Sequence, residues 1–240
     1  RANALDVSYE KYFGTKAYWG IAGFYKDLSS YIIKQNVVTD FTGIITPTTF
    51  NPGGNVIGVL NKPINGSGGH ISGVELSLSL PFNMLTKSLD GFGTQLSYSN
   101  TASSVRPPVA GLTTDSVSTP SISLPGLSKQ VAGLTLYFEK WGFGARVATR
   151  YRSDFVGEVT DFAGDRRLTY IKSEAITDLQ LSYEIQSGPA KGLSLLVQAN
   201  NLTDTPYIRY RDPALRNEVS NEVERKKFGK TYLFGLNYKL

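Results

Sequence analysis

Residues that could catalyse a reaction or hold a metal are scarce in this sequence. Its 240 residues include one histidine, His70, and no cysteine. A catalytic or metal-binding histidine needs partner side chains, whereas His70 directly follows the loop-like, glycine-rich run at residues 66–69. The lack of cysteine excludes thiolate sites and disulfides. We therefore interpret His70 as a surface residue, and we expect no catalytic residue, no metal and no cofactor.

Charged and apolar side chains alternate in two strand-like segments, residues 143–153 and 177–186. Strand side chains point alternately to opposite faces, so the charged positions of each segment share one face. The positions assigned to that face are Arg146, Arg150, Arg152, Asp178 and Glu184. An arginine facing hydrocarbon near the bilayer midplane would cost about 2–4 kcal/mol. These positions are therefore predicted to face a wet or protein-filled interior, where Asp178 and Glu184 can pair with the arginines.

The last segment, residues 229–240, places a large apolar side chain at every second position. The apolar series is Tyr232, Phe234, Leu236, Tyr238 and Leu240. An outer-membrane β-barrel can end on such a strand, with the apolar face in lipid and the polar face toward the lumen. A soluble antiparallel sheet with one wet face would give the same alternation and remains an alternative.

Composition limits the class of protein. Hydrophobic residues make up 40% of the chain and the mean hydropathy is −0.18. No apolar run approaches the roughly 18 residues of a membrane helix, which excludes a helical membrane protein. Barrel strands are only half apolar, and the 14 tyrosines suit membrane interfaces. The net charge of +5 is too dispersed to indicate a nucleic-acid partner.

Short and long connections alternate along the chain, which we expect to hold about nine strands. Short links are predicted near residues 14–16, 85–90, 141–142 and 187–192. Long, polar links are predicted near residues 41–69, 106–127, 157–167 and 211–225. An outer-membrane barrel has short periplasmic turns and longer outer loops, so this alternation favours a transmembrane antiparallel β-barrel in the all-β class. Residues 41–69 are rich in glycine, proline and asparagine and are predicted to form no regular element.

An odd number of strands indicates a partial barrel, because bacterial single-chain barrels have even numbers. Alone, these strands would leave unpaired edges that lipid does not tolerate. The chain begins with Arg1 rather than methionine. We therefore expect partner strands on an N-terminal piece of the same gene product.

Several motifs resemble the C-terminal barrel portion of TonB-dependent outer-membrane receptors. They are Gly73-Val74-Glu75-Leu76, Leu124-Pro125-Gly126-Leu127-Ser128-Lys129, Ala199-Asn200-Asn201-Leu202-Thr203-Asp204-Thr205-Pro206-Tyr207, and the final strand. Such receptors enclose an N-terminal plug within a barrel of about 22 strands, of which residues 1–240 would supply about the last nine. The plug and first strands would then lie outside this chain. The final Leu240 departs from the phenylalanine with which the family usually ends.

The resemblance implies transport rather than catalysis. Receptors of this family import scarce large solutes across the bacterial outer membrane with energy relayed by the TonB complex. The loop sequences most resemble those of carbohydrate-oriented receptors, which favours an oligosaccharide as the ligand, with a ferric siderophore as the alternative. A passive porin or adhesin-type barrel and a soluble carbohydrate-binding protein remain alternatives from other classes. Expected partners are the plug and remaining strands, the TonB complex, outer-membrane lipid and lipopolysaccharide, with a surface lipoprotein as a further candidate.

A transported ligand would meet aromatic and charged side chains at the outer strand ends and in the long loops. Sugars stack on aromatic rings and hydrogen-bond to charged groups, and ferric siderophores favour tyrosine, phenylalanine and arginine. The candidates are Phe50, Arg106, Asp161, Phe162, Arg166, Tyr207, Tyr210 and Arg211. Rim structure or contact with lipopolysaccharide is the alternative for each. Arg225, Lys226 and Lys227 are better placed for the phosphates of lipid A.

Overall fold

The computed structural model describes residues 1–14, 16–44, 56–106, 121–162 and 165–238. These parts of the chain form fifteen β-strands with four short 3-10 turns and no α-helix. None of the described residues forms a helix long and apolar enough to cross a membrane. The strands are β1 Ala2–Phe13, β2 Ala17–Leu28, β3 Tyr31–Asp40, β4 Ile57–Gly66, β5 Gly69–Pro81, β6 Phe92–Val105, β7 Gln130–Lys140, β8 Phe143–Arg152, β9 Phe155–Phe162, β10 Asp165–Ile171, β11 Glu174–Glu184, β12 Leu193–Asn200, β13 Tyr207–Tyr210, β14 Glu222–Lys226 and β15 Thr231–Tyr238.

Nine of these strands form one antiparallel sheet in the order β1-β2-β5-β6-β7-β8-β11-β12-β15. The predicted number of strands and the barrel-type antiparallel fold are thereby confirmed. Two smaller sheets continue the large one: β3 and β4 prolong β2 and β5, and a four-stranded sheet has the order β14-β13-β10-β9. Each of these four strands is the neighbour in the chain of the corresponding strand in the series β15-β12-β11-β8 of the large sheet. The same hairpins therefore extend beyond the large sheet after a short break in each strand, and we call these breaks the joints.

The prediction of irregular long links was wrong in part. Strand β4 lies within residues 41–69, β9 and β10 occupy most of residues 157–167, and β14 lies within residues 211–225. Beyond the apolar band both faces of a strand meet water, so the alternation of apolar and polar residues disappears although the hydrogen-bonded ladder continues. Of the first long link, residues 45–55 lie outside the described residues.

One face of the large sheet is apolar across all nine strands. A single register row on this face joins Phe138, Ala145, Leu181, Val197 and Phe234. Large side chains on this face are exposed rather than covered, with Phe234 at 80% of its maximum accessible surface. Contiguous exposed apolar surface of this kind requires an apolar surrounding. The assignment of apolar residues to one face is thus confirmed by the register.

Aromatic residues border the apolar face at both ends. On the side of the short turns they are Trp19, Phe92, Phe138, Phe143, Tyr183 and Tyr238, and toward the long loops they are Tyr25, Tyr98, Tyr151 and Tyr232. On β8, Phe143 and Tyr151 are eight residues apart, or about 27 Å at a rise of about 3.4 Å per residue. A tilt of about 40° reduces this to about 21 Å of height, close to the roughly 25 Å band of outer-membrane barrels.

Four of the larger buried side chains lie beyond the large sheet, close to the joints. Val156, Ile171, Ile208 and Tyr210 are each less than 7% exposed and belong to β9, β10 and β13. Val105, at the outer end of β6, is fully buried. The small core therefore fixes the outer strand extensions relative to the large sheet.

Candidate functional site

The second face of the large sheet is polar and carries small side chains. One register row on it joins Glu10, Gly20, Ser77, Ser97 and Gly133, and continues to Arg150. A Cβ atom built on Gly20 would lie 3.0 Å from Ser77 Oγ, and one on Gly133 would lie 2.8 Å from Ser97 Oγ, so neighbouring serines fill the space above these glycines. Cavities of about 340 and 410 Å³ indent this face. The small side chains therefore leave room for water or another polypeptide to approach the backbone of the polar face.

The arginines of β8 are held by specific partners on this face. Arg150 Nη2 donates to Asp178 Oδ2 at 3.1 Å, which is the predicted pairing. Arg146 Nη2 donates to Gln95 Oε1 on β6 at 3.4 Å, across the intervening strand β7. Arg146, Arg150, Asp178 and Gln180 all line the larger of the two cavities. The charged wall is thus built from β6, β8 and β11 together.

Arg152 ends this series at the joint between β8 and β9. Its Nε atom donates to Ser128 Oγ at 3.0 Å and its Nη2 atom to the carbonyl oxygen of Gly126 at 3.3 Å. The guanidinium also lies 3.8 Å from the centre of the Phe155 ring. Arg152 therefore fixes the segment before β7, which contains the Leu124–Lys129 motif, against β8.

The predicted pairing of Glu184 with an arginine is wrong. Glu184 lies opposite Ser194 at the turn end of β11, whereas the nearest arginine of the series, Arg146, lies opposite Gln180. Four residues of strand, about 14 Å, separate Glu184 from Gln180. Alternation assigns residues to a face, but only the register fixes their height on it.

A network centred on Asp154 joins the outer strand extensions. Tyr210 Oη donates to Asp154 Oδ2 at 2.6 Å, while Arg216 Nη2 at 2.8 Å and Ser173 N at 2.9 Å donate to Asp154 Oδ1. The Tyr210 ring stacks on Tyr170 with centroids 5.6 Å apart. Burial, together with the hydrogen bond to Asp154, raises the pKa of Tyr210. Tyr210, predicted to contact ligand, is 2% exposed and has its hydroxyl engaged in this network.

Asp154 and Arg216 form a structural contact that sequence reasoning missed. They are 62 positions apart, so no local pattern joins them. The one available signal was the break of alternation at Ser153 and Asp154, which marks the joint between β8 and β9. Through Arg216, the loop between β13 and β14 is tied to the neighbouring hairpin.

The motif around Asn201 forms the corresponding joint between β12 and β13. Asn201 and Asp204 have φ values of 53° and 50°, a left-handed conformation that asparagine and aspartate tolerate better than most residues. Asn201 Oδ1 accepts from Thr205 N at 2.9 Å, and its Nδ2 donates to the carbonyl oxygen of Gly229 at 3.1 Å. Asn201 therefore shapes the end of strand β12.

Tyr207 and Arg211 flank the short strand β13. Tyr207 is half-buried, with Lys226 Nζ 6.0 Å from its ring centre. Arg211 is exposed and lines a cavity of about 310 Å³ with Ser220 and Glu222. Tyr207 and Arg211 therefore lie at opposite ends of one outer strand, and of these two residues Arg211 lines the charged cleft.

The remaining candidates are distributed over other outer elements. Arg106 is exposed at the end of β6, and its carbonyl oxygen accepts from Ser67 Oγ at 3.2 Å. Asp161 and Phe162 belong to β9, and Arg166 belongs to β10, directly opposite Asp161 in the register. Phe50 lies outside the described residues.

His70 is exposed on β5, with its ring stacked on Tyr25 at 6.2 Å between centroids. Among the described residues, no group of histidine, aspartate and glutamate side chains is arranged to hold a metal ion. The ring contact with Tyr25 is consistent with the interpretation of His70 as a surface residue.

Comparison with known proteins identifies the fold. The family model described as TonB dependent receptor-like, beta-barrel matches residues 1–202. The unliganded ferric citrate transporter FecA superposes with a TM-score of 0.61 at 13% identity, covering 98% of this chain and 31% of that one. A mutant of the ferric enterobactin receptor PfeA from Pseudomonas aeruginosa gives 0.51 at 14% identity, covering 85% and 26%. No curated protein sequence matches the chain.

The similarity to receptor β-barrels agrees with the observed division of the large sheet into an apolar and a polar face. At such low identity the two structures support the fold alone, and this chain spans less than a third of either. The match to the family model, by contrast, extends over more than half of the chain. The family is a class of bacterial outer-membrane receptors and transporters, which are not enzymes. The chain belongs to the TonB-dependent receptor-like β-barrel family.

Proposed function

We propose that this chain forms the C-terminal part of the barrel of an outer-membrane receptor that imports a scarce, large solute with energy from the TonB system. The observation that carries the proposal is the division of one nine-stranded sheet into an exposed apolar face and a polar, charged face. Lipid accounts for the first face and an enclosed, plugged lumen for the second. The plug and the remaining strands would come from the rest of the same receptor.

In this function no covalent bond is broken by the protein. The outer strand extensions would capture the ligand, and rearrangement of the plug would then open a path along the polar face. Arg150 and Asp178 form an ion pair in which the side chains are 69% and 27% exposed. Such a pair can exchange partners with a plug residue or with water at low cost, because exposed ion pairs are worth little. Arg146 and Gln180 would contribute further hydrogen bonds along the same path.

We propose an oligosaccharide as the ligand, bound in the outer region around Tyr207 and Arg211. An exposed guanidinium beside Glu222 and a half-buried tyrosine ring supply the stacking surface and the paired donors and acceptors that sugar hydroxyls use. Arg106, Asp161, Phe162, Arg166 and Phe50 remain proposed contacts. Tyr210 would support the region from below. A ferric siderophore is the alternative ligand, since its anionic groups would use the same arginines.

Transport assays on the intact receptor test this proposal. Cells carrying it should bind and accumulate the ligand, and deletion of TonB should abolish accumulation while leaving binding intact. Accumulation that persists without TonB would instead identify a passive porin. Binding of an oligosaccharide panel and of ferric siderophores to the purified receptor distinguishes the two ligand classes.

A pair of substitutions tests the location of the binding region. Arg211→Ala removes an exposed guanidinium from the outer cleft and should weaken binding by about tenfold, the loss expected for one or two hydrogen bonds to a charged group. Lys87→Ala removes an exposed cation from the opposite, short-turn end and should leave binding unchanged. Equal affinity of the two variants would place the binding region elsewhere.

A further inference from the structure

Asp178 binds two parts of the molecule that otherwise lie in separate regions. Its Oδ2 atom accepts from Arg150 Nη2 at 3.1 Å, and its Oδ1 atom accepts from the backbone N–H of Asn201 at 2.9 Å. The first contact lies on the polar face of the large sheet, and the second lies at the joint between β12 and β13. One carboxylate therefore joins the charged wall to the base of an outer strand extension.

The joint at Asn201 holds both ends of the outer hairpin that β13 and β14 form. Asn201 follows the last residue of β12, and its Nδ2 atom donates to the carbonyl oxygen of Gly229 at 3.1 Å, just before β15. The hairpin between these two points carries Tyr207 and Arg211, which are proposed to contact the ligand. Any change in the geometry of the joint is therefore transmitted to the proposed binding region.

Further contacts tie the same joint to β11, but they end on the backbone. The hydroxyl groups of Thr203 and Thr205 both donate to the carbonyl oxygen of Ala175, at 3.1 and 2.7 Å. These contacts limit how far the joint can move. Asp178 differs from them, because the oxygen that holds the joint and the oxygen that holds Arg150 belong to one rigid carboxylate group.

The Arg150 end of this link is open to exchange, whereas the Asn201 end is fixed. The Arg150 side chain is 69% exposed, and a guanidinium offers five N–H donors to any acceptor that approaches it. The hydrogen bond from Asn201 N–H is partly buried and comes from the backbone. If Arg150 leaves, the Asp178 carboxylate loses its charged partner and is freer to rotate, so its bond to Asn201 opens more often.

We propose that Asp178 is a positioning residue that couples the outer binding region to the surface that the polar face offers to the plug. With Arg150 bound, Asp178 is held in the orientation that accepts from Asn201 N–H, and the joint is fixed. When Arg150 turns to an acceptor on the plug, the joint loosens. Coupling of this kind is reciprocal, so a ligand that shifts the joint also changes how tightly Arg150 binds the plug. The inference rests on the proposed function, which supplies both the ligand and the plug.

Hydrogen exchange of the intact receptor in phosphatidylethanolamine–phosphatidylglycerol vesicles tests this coupling, with mass spectrometry of peptides that cover residues 201–206. Arg150→Gln removes the charge that holds Asp178 and should raise exchange in these residues several-fold. Arg150→Lys keeps a cation beside Asp178 and should restore most of the protection. Arg146→Gln is the matched control on the same strand and face; it removes a guanidinium bound to Gln95 and should leave exchange in residues 201–206 unchanged.

A double substitution shows whether the effect passes through Asp178. In Asp178→Ala the joint has already lost this acceptor, so the addition of Arg150→Gln should raise exchange no further. Where Asp178→Ala does not assemble, Asp178→Asn takes its place, because it keeps an oxygen for Asn201 N–H but loses the charge that binds Arg150. An effect of Arg150→Gln that is fully additive to either substitution overturns the proposal.

The other outcomes separate the coupling from the proposed function. Equal exchange in the wild type and Arg150→Gln would show that Asp178 holds the joint without Arg150, and the coupling would be refuted. An equal rise in Arg146→Gln would indicate a general loosening of β8 and would refute it too. Neither result bears on the dependence of accumulation on TonB, which decides the proposed function. Accumulation without TonB would refute that function and leave the measured link between Arg150 and the joint intact.

Discussion

Neighbouring positions on β8 give the sharpest test of which face meets lipid. Val147 lies on the apolar face, opposite Leu136 and Leu179, midway between Phe143 and Tyr151, and 41% of its surface is exposed. This position places it near the middle of the apolar band. Val147→Arg would therefore put a guanidinium close to the bilayer midplane, at a cost of about 2–4 kcal/mol.

Ala148 provides the matched control one residue away. It lies on the polar face, directly opposite Thr135 and Asp178. An arginine introduced there would have a carboxylate within reach and would remain in the wet interior. Both substitutions add the same side chain to the same strand, so their difference isolates the surroundings of each face.

The expected difference is large enough to measure. A cost of about 2–4 kcal/mol lowers the ratio of folded to unfolded protein by about 30- to 900-fold, since each 1.4 kcal/mol is a factor of ten. Urea titration of the intact receptor in vesicles, followed by the shift in electrophoretic mobility between folded and heated barrel, should show this loss for Val147→Arg and little loss for Ala148→Arg. Equal stability of the two variants, or greater loss for Ala148→Arg, would refute the assignment of faces.

Four further results are expected. Leu181→Arg should reduce assembly into the membrane less than Val147→Arg does, because Leu181 lies closer to the short-turn aromatic border. Ser182→Arg on the opposite face should be tolerated. Equal membrane assembly of all three variants would contradict the expectation that the cost of an arginine depends on its face and depth. Asp154→Asn removes the carboxylate that binds Arg216, so it should raise hydrogen exchange in residues 211–221 and lower the free energy of unfolding by about 1–3 kcal/mol. The control Asp212→Asn keeps a side-chain oxygen that can accept from Ala214 N, so it should leave hydrogen exchange unchanged. In urea titration, Asn201→Ala should lower the free energy of unfolding by about 1–2 kcal/mol more than Asn201→Gly does. Both variants lose the side-chain hydrogen bonds, but of the two only glycine adopts the left-handed backbone without strain. The hydrogen bond and charge of Lys140 lower the pKa of Asp90, so the stability that Asp90 adds should be present at neutral pH and lost as the pH falls below about 4; the gap between wild type and Asp90→Asn should close in acid.

The strands of the large sheet could be predicted from the sequence because lipid imposes a pattern on them. Residues such as Leu179 and Leu181 must alternate with Gln180 and Ser182 when one face is apolar and the other is wet. Outside the apolar band that requirement ends. Strand β14, with the sequence Glu222–Lys226, is polar or charged at four of its five positions and therefore carried no readable period.

The candidate site was harder to predict because its contacts join distant parts of the chain. Arg150 and Asp178 could be assigned to one face by alternation, and their register then brought them into contact. Glu184 was assigned to the same face by the same rule but lies at the wrong height. The contact between Asp154 and Arg216 depends on the packing of two hairpins, and neither local segment indicates which residue the other contacts.

The joints place the outer edge of the membrane independently of the aromatic residues. Where β8 and β12 leave the regular ladder, backbone groups need new partners, and side chains supply them: Asp154 accepts from Ser173 N, and Asn201 accepts from Thr205 N. Such irregular backbone is not tolerated where it would face hydrocarbon. The joint after β8 begins at Ser153, two residues beyond Tyr151, and the joint before β15 ends at Lys230, two residues before Tyr232. Two unrelated requirements, aromatic rings at the interface and paired backbone groups in lipid, therefore give the same boundary, about two residues beyond Tyr151 and Tyr232.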